Sequence, residues 1–342
     1  MTIPRNYKPL LDARKTERAI NLIKRAFETN LAYELNLVRV TAPLFVRSGT
    51  GINDDLNGVE RPVRFPVRGL GEEHVEVVQS LAKWKRLALA DLGFASGEGL
   101  YTDMNALRPD DSIDNIHSIY VDQWDWELAI NDEDRTVETL NRTVRTVYDV
   151  IRRTERYICH DMELGDPILP SEITIIHALD LLRQYPHLPP RERELEVCRR
   201  HGAVFIAGIG GALDGGEAHD GRAPDYDDWS TLGRPGYAGL NGDILVYYPV
   251  LDIALELSSM GVRVDPQALE RQLEITGTRE RAELYFHRRL LAGELPPSLG
   301  GGIGQSRLCM FYLRKAHIGE IQAGIWPEEM ARQCGEAGIP LL

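Results

Sequence analysis

Between Lys8 and about Leu35 the apolar residues Ile20, Ile23, Phe27 and Leu31 recur at helical spacing, which predicts an amphipathic helix. LVRVTAPLF (37 to 45) then reads as a strand stopped by Pro43. Residues 48 to 58, SGTGINDDLNG, are turn formers throughout, and VRFPVR (63 to 68) and VEVV (75 to 78) read as short β segments before a helix starting near Ser80. From Leu100 to Glu127 two apolar runs flank RPDDSIDN, the composition of a connection between antiparallel strands. Val137, Leu140, Val144, Val147 and Ile151 trace a stripe on a long, otherwise charged helix between Asp134 and Met162. ERELEVCRRHGAVFIAGIGGAL (192 to 213) predicts a helix running into a buried strand, with a loop rich in Gly and Asp following to Ser230. DILVYYPV and LELSSMGVRV, within 243 to 264, read as two more strands, and charged helices lead to the glycine run at Gly300. Helices spaced around mostly antiparallel strands make this an α+β chain rather than a doubly wound parallel sheet.

Composition narrows the partners. Asp and Glu number 52 against 39 Lys and Arg, a net charge of −13, so the overall field repels polyanions and favours a small-molecule partner over nucleic acid. The N-terminal MTIPRNYKPLLDARKTERAI lacks the apolar core of a secretory signal, and no stretch reaches spanning length, so a cytoplasmic enzyme without membrane contact is expected. Cys159, Cys198, Cys309 and Cys334 lie far apart without a C-x-x-C pair, which points to neither a zinc cluster nor a disulfide framework.

The chemistry-bearing residues are scattered. GGGIGQSR (300 to 307) precedes a segment that can be helical, where backbone N–H groups and a helix N-terminus can hold an anion. No Lys precedes Ser306, and Gln305 stands where G-x-G-x-x-G needs its last glycine, so neither the P-loop nor the Rossmann pattern applies. Arg108 follows a strand-like run and can clamp a phosphate bidentately. In HSIYVDQWDWE (117 to 127) Gln123, Asp125 and Glu127 alternate and share one face, which is either solvent-facing or the lining of a polar pocket. Asp243 and Glu256 approach each other across a hairpin if Tyr248 to Asp252 form its turn, an oxygen pair suited to magnesium. Asp225, Asp227 and Asp228, like Asp54 and Asp55, sit in loops where acids are commonly soluble turn residues, and Lys83 and Lys85 read as helix-surface decoration.

These pieces have a joint explanation. SLAKWKR (80 to 86), GEGLYTDMNALRPDD (97 to 111), HSIYVDQWDWE (117 to 127), RAPDYDDWST (222 to 231), LNGDILV (240 to 246), ELSSMGVRV (256 to 264) and GGGIGQSR (300 to 307) resemble the ammonia-dependent asparagine synthetases, or aspartate–ammonia ligases, over nearly the whole chain. That family is similar to the catalytic domains of class II aspartyl- and asparaginyl-tRNA synthetases. The resemblance implies a single domain over 1–342, an antiparallel sheet flanked by helices, and a homodimer formed through the Pro43 segment.

It also implies site residues. Arg108 would hold the α-phosphate of ATP, Arg307 the triphosphate or adenine side, with Gly302, Gly304 and Ser118 at the nucleotide. Asp243, also beside the nucleotide, and Glu256 would bind Mg2+. Lys85, Gln123, Asp125, Asp227 and Ser259 would hold aspartate, and later asparagine. Asp54 would meet ammonia, although this chain has Asp54-Asp55 where the family pattern has Asp-Asn, so either acid can face inward. The implied reaction is ATP-dependent adenylation of the aspartate side chain to β-aspartyl-AMP with loss of pyrophosphate, then displacement of AMP by ammonia. Alternatives are a tRNA-charging enzyme of the aspartyl or asparaginyl type, and a paralogue that has lost catalysis. The acidic balance and lack of a separate anticodon-binding module disfavour the first, and both arginines with both metal-ligand acids disfavour the second. The absence of an N-terminal cysteine nucleophile fits free ammonia as the nitrogen source.

Overall fold

The computed structural model describes residues 1–54, 56 and 60–342. Asp55 lies outside the described residues. Helix α1 (Ala13–Leu35) starts where the Asp12 side chain accepts from Lys15 N–H at 2.8 Å, and ends at Asn36, whose left-handed φ of 53° turns the chain into β1 (Leu37–Arg39). The run expected as one strand over 37 to 45 is divided: Pro43 lies between β1 and β2 (Phe45–Arg47), which belongs to a separate small sheet. That sheet has the order β2-β4-β3, with β3 (Arg64–Pro66) and β4 (His74–Val77). Helix α2 (Ala82–Asp91) and strands β5 (Gly99–Leu107) and β6 (Tyr120–Ala129) follow, then the long α3 (Val137–Asp161), capped by Thr136.

The second half carries β7 (Thr174–His177), α4 (Ala178–Gln184), α5 (Pro190–His201), β8 (Ala203–Ala207), a small ribbon of β9 (Leu232–Arg234) and β10 (Tyr237–Ala238), then the hairpin β11 (Asn241–Tyr248) and β12 (Ile253–Val262). Helices α6 (Pro266–Ile275) and α7 (Tyr285–Leu291), strand β13 (Ser298–Gly304), α8 (Gln305–Tyr312) and α9 (Glu328–Glu336) complete it.

The main sheet has the order β1-β5-β6-β13-β12-β11-β8-β7. Its six inner strands are antiparallel, and β1 and β7 add in parallel at the two edges. The α+β expectation therefore holds. One face is apolar: Trp124 and Trp126 of β6, Ile244 and Val246 of β11 and Ile303 of β13 pack against Phe27 of α1 and Val144, Val147 and Ile151 of α3. Phe27 lies 4.6 Å from the Trp124 ring, centroid to centroid. Because side chains alternate along a strand, burying both tryptophans on this side forces Gln123, Asp125 and Glu127 to the other.

Candidate active site

On that opposite face lies a cavity of about 550 Å³, a size suited to a small-molecule ligand. Asp54, Lys85, Arg108, Ser118, Gln123, Asp125, Asp227, Glu256, Ser259, Gly302, Gly304 and Arg307 all line it. Asp243 is set behind the wall, bonded to the lining residue Arg222.

The floor is an alternating chain of buried charges. Lys85 Nζ donates to Asp125 Oδ1 at 2.9 Å and to the Gly301 carbonyl at 2.8 Å, and lies 3.9 Å from Glu127. Arg263 meets Glu127 through Nε and Nη2 and reaches Asp227 through Nη1. Arg222 bonds Asp243 Oδ1 at 2.6 Å and Ser259 Oγ at 2.7 Å, with Asp227 at 3.6 Å. Four carboxylates thus face three cations, and such burial is tolerable only with this pairing. Burial alone would raise the Glu127 carboxyl, but Arg263 and Lys85 outweigh it and hold the group below the usual range. Burial pushes the Lys85 ammonium down despite Asp125 beside it. Asp125 Oδ2 and Asp227 Oδ2 remain buried without a hydrogen-bond partner, and both residues line the cavity. A floor short of one positive charge, with two unsatisfied carboxylate oxygens, suits an ammonium group.

The hairpin turn falls where expected, between Tyr248 and Ile253. Asp243 pairs with Ser259, whereas Leu245 pairs with Glu256, so β12 carries an extra residue, Leu257. In a regular strand Glu256 and Ser259, three apart, would face opposite sides; the bulge brings both to the cavity while Leu257 stays in the apolar core. Burial raises the Asp243 carboxyl to about 6; Arg222 opposes this, and the neighbouring Glu256 carboxylate adds to it. Each acid also has an arginine beside it, Arg222 at Asp243 and Arg307 at Glu256.

Arg108 follows β5 directly, and its Nε and Nη2 donate to the Gln79 carbonyl at 3.2 and 3.0 Å. Arg307, in the first turn of α8, reaches Glu256 Oε2 at 3.4 Å. Ser118 Oγ lies 2.6 Å from the Tyr120 carbonyl and 2.7 Å from Gln322 Oε1. Asp54 is buried, and Asn53 fixes it: Asn53 Oδ1 accepts from the N–H groups of both Asp54 and Gln79, tying the loop to the segment before α2.

Several readings of single residues change. Lys83 and Lys85 are buried ion-pair donors, not surface decoration, and Asp225, Asp227 and Asp228 are buried rather than soluble turn residues. The glycine run is mostly strand. A Cβ at Gly300 would stand 1.8 Å from Glu127 Oε2, and one at Gly302 would stand 2.3 Å from Gln123 Oε1 and 2.9 Å from Asp125 Oδ1. These glycines make room for the acids and amide of the adjacent strand. The first turn of α8 is also partly used internally, since Ser306 N–H donates to Asp122 at 3.0 Å. Sequence reasoning gave no role to Arg222 and Arg263. Their signal was indirect: an acid-rich face turned away from two buried tryptophans needs cations of its own.

Comparison with known proteins agrees with this geometry. The family model described as aspartate–ammonia ligase matches residues 14–338. The chain is 57% identical over 339 residues to an aspartate–ammonia ligase of Bacteroides thetaiotaomicron, covering 99% of this chain and 98% of that one. It is 56% identical over 340 residues to one of Clostridium perfringens, with the same coverage. Among solved structures, asparaginyl-tRNA synthetase of Pyrococcus horikoshii complexed with asparaginyl-adenylate superposes with a TM-score of 0.66 at 16% identity, covering 96% of this chain and 76% of that one. That of Entamoeba histolytica, also with asparaginyl-adenylate, gives 0.66 at 13% identity, with 91% of this chain spanning 66% of that one. The fold is thus that of class II aminoacyl-tRNA synthetase catalytic domains, and the chain belongs to the aspartate–ammonia ligase family.

Proposed function

We propose that this chain makes L-asparagine from L-aspartate, ammonia and ATP through β-aspartyl-AMP, releasing AMP and pyrophosphate. The observation that carries this reading is the floor that leaves Asp125 Oδ2 and Asp227 Oδ2 without a hydrogen bond within one cavity with Arg108 and Arg307. The two carboxylates take the substrate's ammonium group, so the side-chain carboxylate is the end presented for reaction. Lys85 spends two donors on Asp125 and Gly301 and directs its remaining one to the α-carboxylate. Gln123 and Ser259, on the same wall, complete the amino-acid pocket.

Adenylation brings two anions together, so positioning and positive charge lower its barrier. Arg108 faces the α-phosphate and Arg307 the triphosphate or adenine side, with Ser118, Gly302 and Gly304 along the nucleotide. Asp243 and Glu256 are the pair that fits magnesium, which typically takes one or two carboxylates and completes its shell with phosphate oxygens and water. When bound, the metal neutralises phosphate charge. Asp54 recruits ammonium and takes its proton as general base.

Exposed Val38, Leu44 and Phe45, on and after β1, supply an apolar patch for a second copy and support a homodimer. No described helix is long and apolar enough to cross a membrane, and the acidic balance supports a cytoplasmic enzyme that does not bind nucleic acid. The test is to incubate purified protein with aspartate, ATP, magnesium and ammonium, without tRNA, and follow asparagine and AMP. No asparagine would refute the reading. Aspartate-dependent pyrophosphate exchange without asparagine would point to a tRNA-charging enzyme.

A further inference from the structure

Beneath the loop carrying Thr50 and Asn53 lies a second cavity of about 200 Å³ that shares Asp54 and Glu60 with the main one. Three of its lining residues, Gln79, Asp225 and His287, have no exposed surface. Each keeps polar atoms without a hydrogen-bond partner: Gln79 Oε1 and Nε2, Asp225 Oδ1 and His287 Nδ1. The roles of these atoms follow from their neighbours. His287 Nε2 stands 2.9 Å from Asp225 Oδ2, which also receives Lys83 Nζ at 3.0 Å and Arg281 Nη1 at 3.4 Å. Lys83, His287 and Arg281 keep Asp225 ionised, holding it far below the usual carboxylate range against the opposing effect of burial. A carboxylate only accepts, so Nε2–H donates to Asp225, and Nδ1 is left without a partner. A Cβ at Gly51 would stand 3.0 Å from Nδ1, so the missing side chain keeps that nitrogen clear.

The unpartnered set therefore holds two acceptors, Gln79 Oε1 and Asp225 Oδ1, and one donor, Gln79 Nε2, with His287 Nδ1 beside them. Neutral ammonia offers three donors and one acceptor, so it can donate to both acceptors and accept from the donor. Among the described lining residues four acids (Asp54, Glu60, Glu76, Asp225) stand against four bases (Arg47, Arg64, Lys83, Arg281), so these side chains together give no net pull on a cation or an anion. An inlet separate from the main cavity also matches the order of events, because the aspartyl adenylate would fill the main cavity when the nitrogen must arrive.

We propose that this side chamber, through Gln79, His287 and Asp225, holds ammonia beside Asp54, which takes the proton of arriving ammonium, and delivers it to the main cavity. This rests on the reading of the chain as an ammonia-using ligase. The test compares Gln79→Met and His287→Asn with the unmodified enzyme, varying total ammonium and then aspartate at fixed pH. The expected result is a rise of tenfold or more in KM for ammonium, with KM for aspartate within twofold. Ammonium KM within twofold of the unmodified enzyme in folded variants overturns the inference, as does a parallel rise in both KM values. Gln79→Met removes no ion pair and keeps the side-chain length, so it decides the matter if His287→Asn does not fold. Failure of the unmodified enzyme to form asparagine would instead sink the proposed function.

Discussion

Arg263, just past the end of β12, grips Glu127 of β6, with Nε at 2.9 Å and Nη2 at 2.8 Å from its carboxylate oxygens, both residues almost wholly buried. Neither side chain can be removed alone without leaving the other charged in a dry place. Arg263→Ala should destabilise the fold by about 3–5 kcal/mol, the usual cost of orphaning a buried partner. Urea denaturation measures it; a loss below about 1 kcal/mol would mean that water reaches the pair.

Gly302→Ala tests the glycine run. The added methyl would sit 2.3 Å from Gln123 Oε1 and 2.9 Å from Asp125 Oδ1, so those two side chains must swing away. Overpacking of this kind costs about 1–3 kcal/mol. The expected result is a folded protein whose KM for aspartate rises at least tenfold. An unchanged KM would show that Gln123 and Asp125 do not touch the amino acid.

Asp243 makes stability depend on pH. The free group titrates near 3.8 and the folded one at about 6, so between these values the folded chain holds a proton that the unfolded chain has lost. Metal-free stability should therefore fall as pH rises through that window, and Asp243→Asn should remove that slope. Magnesium competes with the same proton, so its affinity should weaken below about pH 6. Thermal melts with and without magnesium at several pH values check both signs; a metal effect that grows on acidification would exclude Asp243 as a ligand.

For Asp54, the substitution to Asn should slow asparagine formation by about 10²–10⁴-fold, the range for a lost general base, while aspartate-dependent pyrophosphate exchange continues. Asp55→Asn is the paired control. If the effect follows Asp55 instead, the roles of these neighbours exchange.

How much of this was legible beforehand depends on the kind of signal. Phe27 and the Val144 stripe announced their helices because packing on one face imposes a period, and the alternation around Trp124 and Trp126 set the face of Gln123 and Asp125. The division of 37 to 45 into two strands of different sheets was not legible, since Pro43 marks a stop without saying where the chain resumes. Lys83, Lys85 and Asp225 misled for a related reason: a charged residue looks the same in sequence whether water or a buried partner satisfies it. The partners come from α2, from β6 and from a loop more than a hundred residues away, and only the fold brings them together. The glycine run was recognised as special, but its use lay in the side chains of β6, which the run itself does not contain.

The extra residue in β12 has a consequence for how this gene can vary. Strand ends usually tolerate a codon gained or lost, and excising Leu257 would leave a regular ladder with Glu256 still on the face of Ser259; a one-residue slip that paired Leu257 with Leu245 would instead turn Glu256 toward the oily layer beneath α3. In the slipped register the sheet could still form, yet Glu256 would be lost from the face that carries Asp243. Spacing along this one strand, rather than the identity of any single side chain, sets whether the two carboxylates can meet.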